Sequence, residues 1–259
     1  GKAVGSSPPP EEEILGDKTG ETGKLPDQGI LGKGARTREE HSTGAVASGS
    51  AVLHALESRA RVGSAVRWVP GDLDFYVSRR AVRRGALVQW HAYLVGEGYE
   101  LCESVGAAGY SGTEVINYED AESGRSVDIV VVDEPLVYIL MRFWSTHIMN
   151  FATWDGMYCL FPESVLVRKQ MCVVRCRDVR ELKAYDKYVG RGFFWGGVDL
   201  PDLGEFESER FVGDDLTYRV VFSGVEVEGR VPMALRSVRF VVRKTGVTIV
   251  RSDDMSDSE

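Results

Sequence analysis

The stretch from Trp68 to Val77 reads WVPGDLDFYV, and it decides the fold. Leu73 to Val77 has the apolar character of a strand, and strand side chains alternate between the two faces of a sheet. Asp72 and Asp74 are therefore expected to point the same way, about 7 Å apart along the strand, while Leu73 and Phe75 face the core. Two like charges at this spacing repel unless a cation lies between them. Because hard oxygen ligands favour Mg²⁺, the pattern predicts a divalent cation.

A third carboxylate occurs in SVDIVVVD, where Asp128 interrupts a β-branched run. The segment Ser126 to Val132 reads as a buried strand, and a buried carboxylate without a partner is costly. Asp128 is therefore expected to bind a metal or another cation. Two alternatives stay open: Asp128 could form a structural salt bridge with Arg125 or Arg142, and Asp72 could simply end a turn, since Pro70-Gly71-Asp72 is good turn sequence.

Helical and strand patterns alternate through the middle of the chain. The pattern predicts strands at 44–47, 73–77, 113–118 and 126–132, with the segment 99–104 before the last two. It predicts helices at 50–59 and 79–96, a further helix from about Pro135 and a helical region at 184–190. The segment 119–125 supplies turn residues for a hairpin. The sequence after it, including YRVVFSGVEVEG and VRFVVRKTGVTIV, is β-rich. This alternation predicts an α/β (α+β) fold with a mixed β-sheet.

The chain of 259 residues divides into four parts by composition. Residues 1–40 are rich in Gly, Pro and charge and are expected to be disordered. Residues 41–134 form the expected core, 135–250 a smaller helical and then β-rich region, and 251–259 an acidic disordered tail. The stretch GETGKL in the first part resembles a phosphate-binding loop, but Lys18 stands where a Gly is needed and Leu25 replaces the required Ser or Thr.

Composition narrows the functional classes. The formal charge of −8 disfavours a broad nucleic-acid-binding surface. The apolar runs are interrupted by charges and fall short of the roughly 20 residues of a membrane span, so no membrane association is expected. The four cysteines show neither a Cys-x-x-Cys pair nor a nearby His cluster, which disfavours zinc and indicates a reducing, intracellular and cytoplasmic location.

Several further residues have a functional and a structural interpretation. Four arginines in SRRAVRR, residues 78–84, form either a solvated helix face or a contact to phosphate or an acidic substrate. His147 and Asn150 are expected three apart on a helix, lining a cleft or satisfying buried groups. The remaining candidates are expected to be core, surface or packing residues, with a phosphate contact as the alternative for the lysines: Trp144, Trp154, Lys183, Lys187, Cys172 and Cys176.

Taken in order, these elements resemble the nucleotidyltransferase superfamily, the polymerase-β-like family. The resemblance comprises an apolar strand, Gly49-Ser50 at a helix start, the Asp-x-Asp strand, a helix, and a third carboxylate on a neighbouring strand, over roughly residues 45–132. The segments SGSAVLHAL, WVPGDLDFYV and FWSTHIMNFATWDGMYCLFP, with the Gly98-Tyr99 pair, are similar to uncharacterised nucleotidyltransferase-like proteins of basidiomycete fungi, up to about Gly192.

The resemblance implies a metal-dependent transfer of a nucleoside monophosphate from an NTP to a hydroxyl, with release of pyrophosphate. Asp72, Asp74 and Asp128 would be the catalytic residues and hold Mg²⁺ or Mn²⁺. Gly49 and Ser50 would present backbone N–H groups to the triphosphate.

Where family members often carry an arginine after Gly-Ser, this chain has Ala51 and Val52, and Arg79 and Arg80 are expected to supply nucleotide-binding charge. The acceptor is left open among RNA, a small molecule and a protein, and the oligomeric state is not predicted. The alternative function is a catalytically inactive module of the same fold that binds a nucleotide or a partner protein.

Overall fold

The structure, a computed structural model, describes residues 44–61, 65–102, 113–174, 179–195, 205–222, 238–243 and 246–250. These residues form a mixed α/β structure with a large mixed sheet and several helices, as the alternating sequence pattern predicts. The predicted disordered segment 1–40 and the acidic tail 251–259 lie outside the described residues.

The described strands and helices are named here in chain order. The strands are β1 (Val46–Ser48), β2 (Asp72–Ser78), β3 (Glu100–Leu101), β4 (Glu114–Asp120), β5 (Arg125–Val132), β6 (Phe151–Thr153), β7 (Gly156–Cys159), β8 (Gln170–Met171), β9 (Phe194–Trp195), β10 (Arg210–Phe211), β11 (Tyr218–Val221), β12 (Arg239–Arg243) and β13 (Gly246–Val250). The α-helices are α1 (Gly49–Ala60), α2 (Arg79–Arg83), α3 (Ala86–Gly96), α4 (Leu136–Met141) and α5 (Val179–Gly190).

An eight-stranded sheet organises the molecule, with the order β11-β7-β6-β1-β2-β5-β4-β3. Its neighbouring strands pair antiparallel except at its centre, where β2 and β5 run parallel. The strands β6, β7 and β11 continue this sheet, so the boundary expected at residue 134 falls inside it. A three-stranded antiparallel sheet, β10-β12-β13, and the parallel pair β8-β9 are also present.

Successive side chains of β2 point to opposite faces of the sheet, and the two faces differ in their surroundings. Leu73 and Phe75 are each 2% exposed, which confirms that they face the core, and the Phe75 ring lies 4.4 Å from that of Trp90 on α3. On the other face Tyr76 packs with Val130 of β5 and with partly buried residues of and after α4. Asp72 and Asp74 share the face of Tyr76 because they stand four and two residues before it.

The predicted elements differ from the described ones mainly at their ends. The helix predicted over 79–96 is wrong as a single element: it is divided into α2 and α3 at Gly85, whose φ is +92°. A left-handed residue cannot continue a right-handed helix, and glycine adopts this conformation readily. None of the helices in the described ranges combines the length and apolar character needed to cross a membrane.

Candidate functional site

A row of polar side chains crosses four adjacent strands on the Tyr76 face of the sheet. Ser48 of β1 pairs with Asp74 of β2, Asp74 pairs with Asp128 of β5, and Asp128 pairs with Asn117 of β4. Directly paired residues point to the same face of a sheet, with their strands about 4.8 Å apart. Asp72 lies on the same face, one row away, opposite Ser126. The parallel register of β2 and β5 therefore brings three carboxylates to one place.

Each carboxylate has a specific neighbour. The hydroxyl of Ser50 donates a hydrogen bond to Asp72 Oδ1 at 3.1 Å, and the amide of Asn117 donates one to Asp128 Oδ1 at 2.7 Å. Asp74 lies against the backbone of Gly49, where the added Cβ of any other residue would overlap Asp74 Oδ2 and lie 3.5 Å from its Cγ. The Gly-Ser pair and the Asp-x-Asp strand are thus in direct contact.

Gly49 combines two features that only glycine satisfies. As the first residue of α1 it has a φ of +78°, in the left-handed region, and an added Cβ at this position would overlap Asp74 Oδ2. The side chain of Ser48, which precedes it, makes no capping hydrogen bond and instead donates to the carbonyl of Asn150 at 2.6 Å. A helix start of this kind carries positive partial charge, and here it adjoins the acidic cluster.

The carboxylates repel one another in a poorly solvated position. Burial, followed by the negative charges of Asp72 and Asp128, raises the pKa of the half-buried Asp74 from 3.8 to about 7, against an opposing effect of Lys187. Burial and the charge of Asp72 also raise the pKa of Asp128, while the hydrogen bond from Asn117 lowers it. Burial is the main cause of both shifts and repulsion between the carboxylates adds to it, and a bound divalent cation would offset both effects.

The side chains nevertheless do not stand as a finished coordination shell. Within the described residues, no group of three or more His, Cys, Asp or Glu side chains has an arrangement ready to hold a metal ion. Asp72 and Asp128 each accept a neighbouring donor's hydrogen bond on one carboxyl oxygen, Oδ1. The oxygen chemistry suits Mg²⁺ or Mn²⁺.

Basic and aromatic groups lie beside the carboxylates, at the end of α5. Lys187 acts on the pKa of Asp74, and the charges of Asp72 and Asp74 contribute to the raised pKa of Tyr188, after burial as the main cause. Tyr188 is buried, and Arg191 follows α5 with its Cζ 5.0 Å from the Tyr188 ring centroid. Both lysines singled out in the sequence, Lys183 and Lys187, are exposed on α5, and the charge of Lys187 acts on Asp74.

The expectation that Arg79 and Arg80 join the carboxylates is not met. They follow the carboxyl end of β2, five and six residues beyond Asp74, which at about 3.3 Å per residue is more than 15 Å along the strand. Arg79 is instead engaged at that end, with Glu114 at 3.0 Å and Asp133 at 2.9 Å. The sequence distance between Asp74 and Arg79 looks small, but an extended strand converts it into a large separation.

The alternatives stated for Asp128 and for the pair His147 and Asn150 have different outcomes. Asp128 bonds to Asn117, whereas Arg142 pairs with Glu134 at 2.6 Å. His147 is buried in a 3₁₀ turn, Thr146–Ile148, and Asn150 lies beyond that turn, so the predicted shared helix face is wrong. The His147 ring contacts Ser145 Oγ at 2.8 Å through Nδ1, and the Asn150 amide donates to the His147 carbonyl.

The tryptophans and cysteines follow the packing interpretation where they are described. Trp144 is buried and Trp154 half-buried, and Cys172 is buried after β8. Cys176 lies outside the described residues, so the predicted shared helical face of the two cysteines concerns a segment that the structure leaves undescribed.

Sequence reasoning missed Asn117, Trp68 and Arg191 as neighbours of the cluster. Asn117 could have been found from the hairpin, because a loop of residues 121–124, closed by Gly124 N–H donating to Asp120 O at 2.8 Å, sets Asn117 opposite Asp128. Trp68 and Arg191 come from segments far apart in sequence, and no local pattern relates them.

Comparison of the chain with protein-family models, with curated proteins and with solved structures gives no match.

Proposed function

We propose that this chain is a metal-dependent nucleotidyltransferase with a polymerase-β-like core, which transfers a nucleoside monophosphate from an NTP to a hydroxyl acceptor. The observation that supports the proposal is the convergence of Asp72, Asp74 and Asp128 on one face, in contact with Gly49-Ser50 at the start of α1. The acceptor oxygen attacks the α-phosphorus, the bond to the bridging oxygen breaks, and pyrophosphate leaves with that oxygen.

The residues of the site would have different roles in this reaction. Asp72, Asp74 and Asp128 would hold Mg²⁺ or Mn²⁺, which when bound supplies charge neutralisation at the phosphates and lowers the pKa of the acceptor hydroxyl. Ser50 and Asn117 orient the outer two carboxylates by hydrogen bonds. Gly49 lets the helix start approach Asp74, and the N–H groups of the first turn of α1 face the phosphates.

The proposal predicts a specific effect of neutral replacements in the cluster. Pyrophosphate release from each of the four NTPs with Mg²⁺ or Mn²⁺ should fall at least about 100-fold in Asp72→Asn and Asp74→Asn. Asp133→Asn is the matched control, since Asp133 is exposed and pairs with Arg79 at the far end of β2. Its turnover should equal that of the parent protein.

A folding measurement separates loss of chemistry from loss of structure. Without metal, Asp74→Asn removes a half-buried charge that two neighbours repel, so its free energy of unfolding at pH 8 should rise by about 2 kcal/mol, one unit of pKa shift being worth about 1.4 kcal/mol and partial exposure screening the rest. Asp133→Asn should instead leave the free energy of unfolding nearly unchanged, because Asp133 is exposed. Turnover that persists in both cluster variants would overturn the proposed metal site.

The same experiment addresses the alternative function. An inactive module of this fold would show an NTP-dependent rise in melting temperature without release of pyrophosphate from any NTP. A protein in which neither NTP nor metal changes the melting curve or yields pyrophosphate would contradict both functions.

A further inference from the structure

Arg191 contacts two aromatic rings, those of Trp68 and Tyr188, and Tyr188 interacts electrostatically with the acidic cluster. The Cζ of Arg191 lies 4.1 Å from the Trp68 ring centroid and 5.0 Å from that of Tyr188. Trp68 precedes β2 and Arg191 follows α5, so the contact joins the two segments that border the carboxylates. Contact with two rings restrains the guanidinium and limits the directions in which its N–H groups point.

Two hydrogen-bond donors, one on Arg191 and one on Trp68, are buried without acceptors. Arg191 Nη1 and Trp68 Nε1 are both shielded from solvent and have no hydrogen-bond partner within the described part of the chain. A buried donor left unsatisfied costs about 1–3 kcal/mol, and more when it is charged. Two such donors, on side chains that contact each other, indicate a place for an oxygen-rich ligand rather than a finished structural contact.

The positive charges of Lys187 and Arg191 are not neutralised by ion pairs with the carboxylates in the described part of the chain. Lys187 and Tyr188 both interact electrostatically with this cluster, and Arg191 packs on the ring of Tyr188. The ion pairs formed by the described residues include none that joins Lys187 or Arg191 to Asp72, Asp74 or Asp128. Cations that only balanced the carboxylates would lie in contact with them.

We propose that Trp68 Nε1, the Arg191 guanidinium and the Lys187 ammonium form an anion subsite that takes the phosphate oxygens of the NTP's polyphosphate tail. This inference rests on the proposed function, since the subsite adjoins the carboxylates of the proposed transferase. A polyphosphate fits because it offers many acceptor oxygens and several negative charges. The subsite also supplies the positive charge that Arg79 and Arg80, at the far end of β2, do not.

Inorganic tripolyphosphate, tested without metal, isolates this subsite from the acidic cluster. Calorimetric titration of the full chain should show binding, and Trp68→Phe should weaken it about tenfold, because Phe keeps a ring under Arg191 but removes the N–H donor. Arg191→Gln should weaken binding by at least as much. Arg84→Gln, which removes one exposed arginine at the end of α2, is the control for general charge and should leave the dissociation constant within twofold.

The outcomes separate this inference from the proposed function. Failure of the parent protein to bind tripolyphosphate, or equal binding by Trp68→Phe and the parent, overturns the subsite even if nucleotidyl transfer occurs. Binding that is weakened in Trp68→Phe and in Arg191→Gln supports the subsite, even if no NTP yields pyrophosphate. If transfer occurs, Trp68→Phe should raise KM for the NTP more than it lowers kcat, because the N–H group that it removes contacts the non-reacting phosphates.

Discussion

At the scale of single residues, the contact between Gly49 and Asp74 ties the backbone of a helix start to a carboxylate. Gly49 needs glycine for its φ of +78° and for the space that Asp74 occupies. The Asp-x-Asp pattern alone predicted that Asp72 and Asp74 share a face, because alternation along a strand is local. It could not show that Gly49 touches Asp74, since that contact depends on the register of β1 against β2.

Comparing Gly49→Ala with Gly44→Ala should separate the effect of the positive φ from the effect of the contact with Asp74. Gly44 has a similar φ of +63°, but nothing lies within 4 Å of the position of an added Cβ. Gly44→Ala should therefore cost about 1 kcal/mol in free energy of unfolding, from backbone strain alone. Gly49→Ala should cost about 2–4 kcal/mol, because the new methyl also displaces the Asp74 carboxylate. Denaturant titration measures both, and equal losses would contradict the contact.

At the scale of secondary structure, α2 and α3 show where a local pattern misleads. The apolar spacing through 79–96 favours one helix, and an isolated glycine inside such a pattern is often tolerated. The structure breaks the helix at Gly85, so that α2 is five residues long and has no buried residue. A short helix without buried side chains depends on its cap, and Ser78 Oγ accepts a hydrogen bond from the Ala81 N–H at 3.2 Å.

Ser78→Ala should therefore cost about 1 kcal/mol in free energy of unfolding. The matched control is Ser58→Ala within α1, where the hydroxyl donates to the carbonyl of His54 at 2.8 Å. There the loss of a solvated hydrogen bond is offset by the higher helix propensity of alanine, so the change should stay within about 0.5 kcal/mol. Urea titrations of the two variants test the difference, and a smaller loss in Ser78→Ala than in Ser58→Ala would contradict the cap.

At the scale of the whole molecule, the buried ring of His147 joins the region before β6 to the end of α5. Its centroid lies 4.2 Å from that of Tyr188 and 5.3 Å from that of Phe193. Burial, with a contribution from the charge of Arg191, lowers the pKa of His147 from 6.5 to about 3. The folded protein therefore keeps this ring neutral under conditions in which the unfolded chain binds a proton.

This difference predicts a stability that falls with acidity. The folded pKa lies below the unfolded one, so the contribution is complete above about pH 6.5 and is lost progressively between 6.5 and 3. Between pH 7.5 and pH 4.5 the parent protein should lose about 2 kcal/mol of its free energy of unfolding through His147. His147→Gln should not show this loss. The difference in stability between parent and variant should therefore become smaller in acid. Phe193→Leu, which perturbs the same cluster without a titrating group, should keep a constant gap. Parallel curves for the parent and His147→Gln would contradict the assignment.

The parts of the site that sequence predicted and missed follow from the range of the interactions. Local alternation placed Asp72, Asp74 and Asp128 on strands, and the mixed α/β class followed from the order of elements. The position of Arg191 on Trp68 depends on packing between segments more than 120 residues apart, and the inclusion of β6, β7 and β11 in the main sheet depends on pairings of similar range. No periodicity within a single element carries that information.

The parallel pairing of β2 with β5 has a consequence for how the chain reaches its native state. Asp74 and Asp128 meet only after the intervening helices and the β4–β5 hairpin have been folded back, and closing so long a segment costs chain entropy that local contacts do not return. Electrostatic repulsion between the two carboxylates opposes the same step. The acidic cluster therefore does not exist until β2 and β5 have paired.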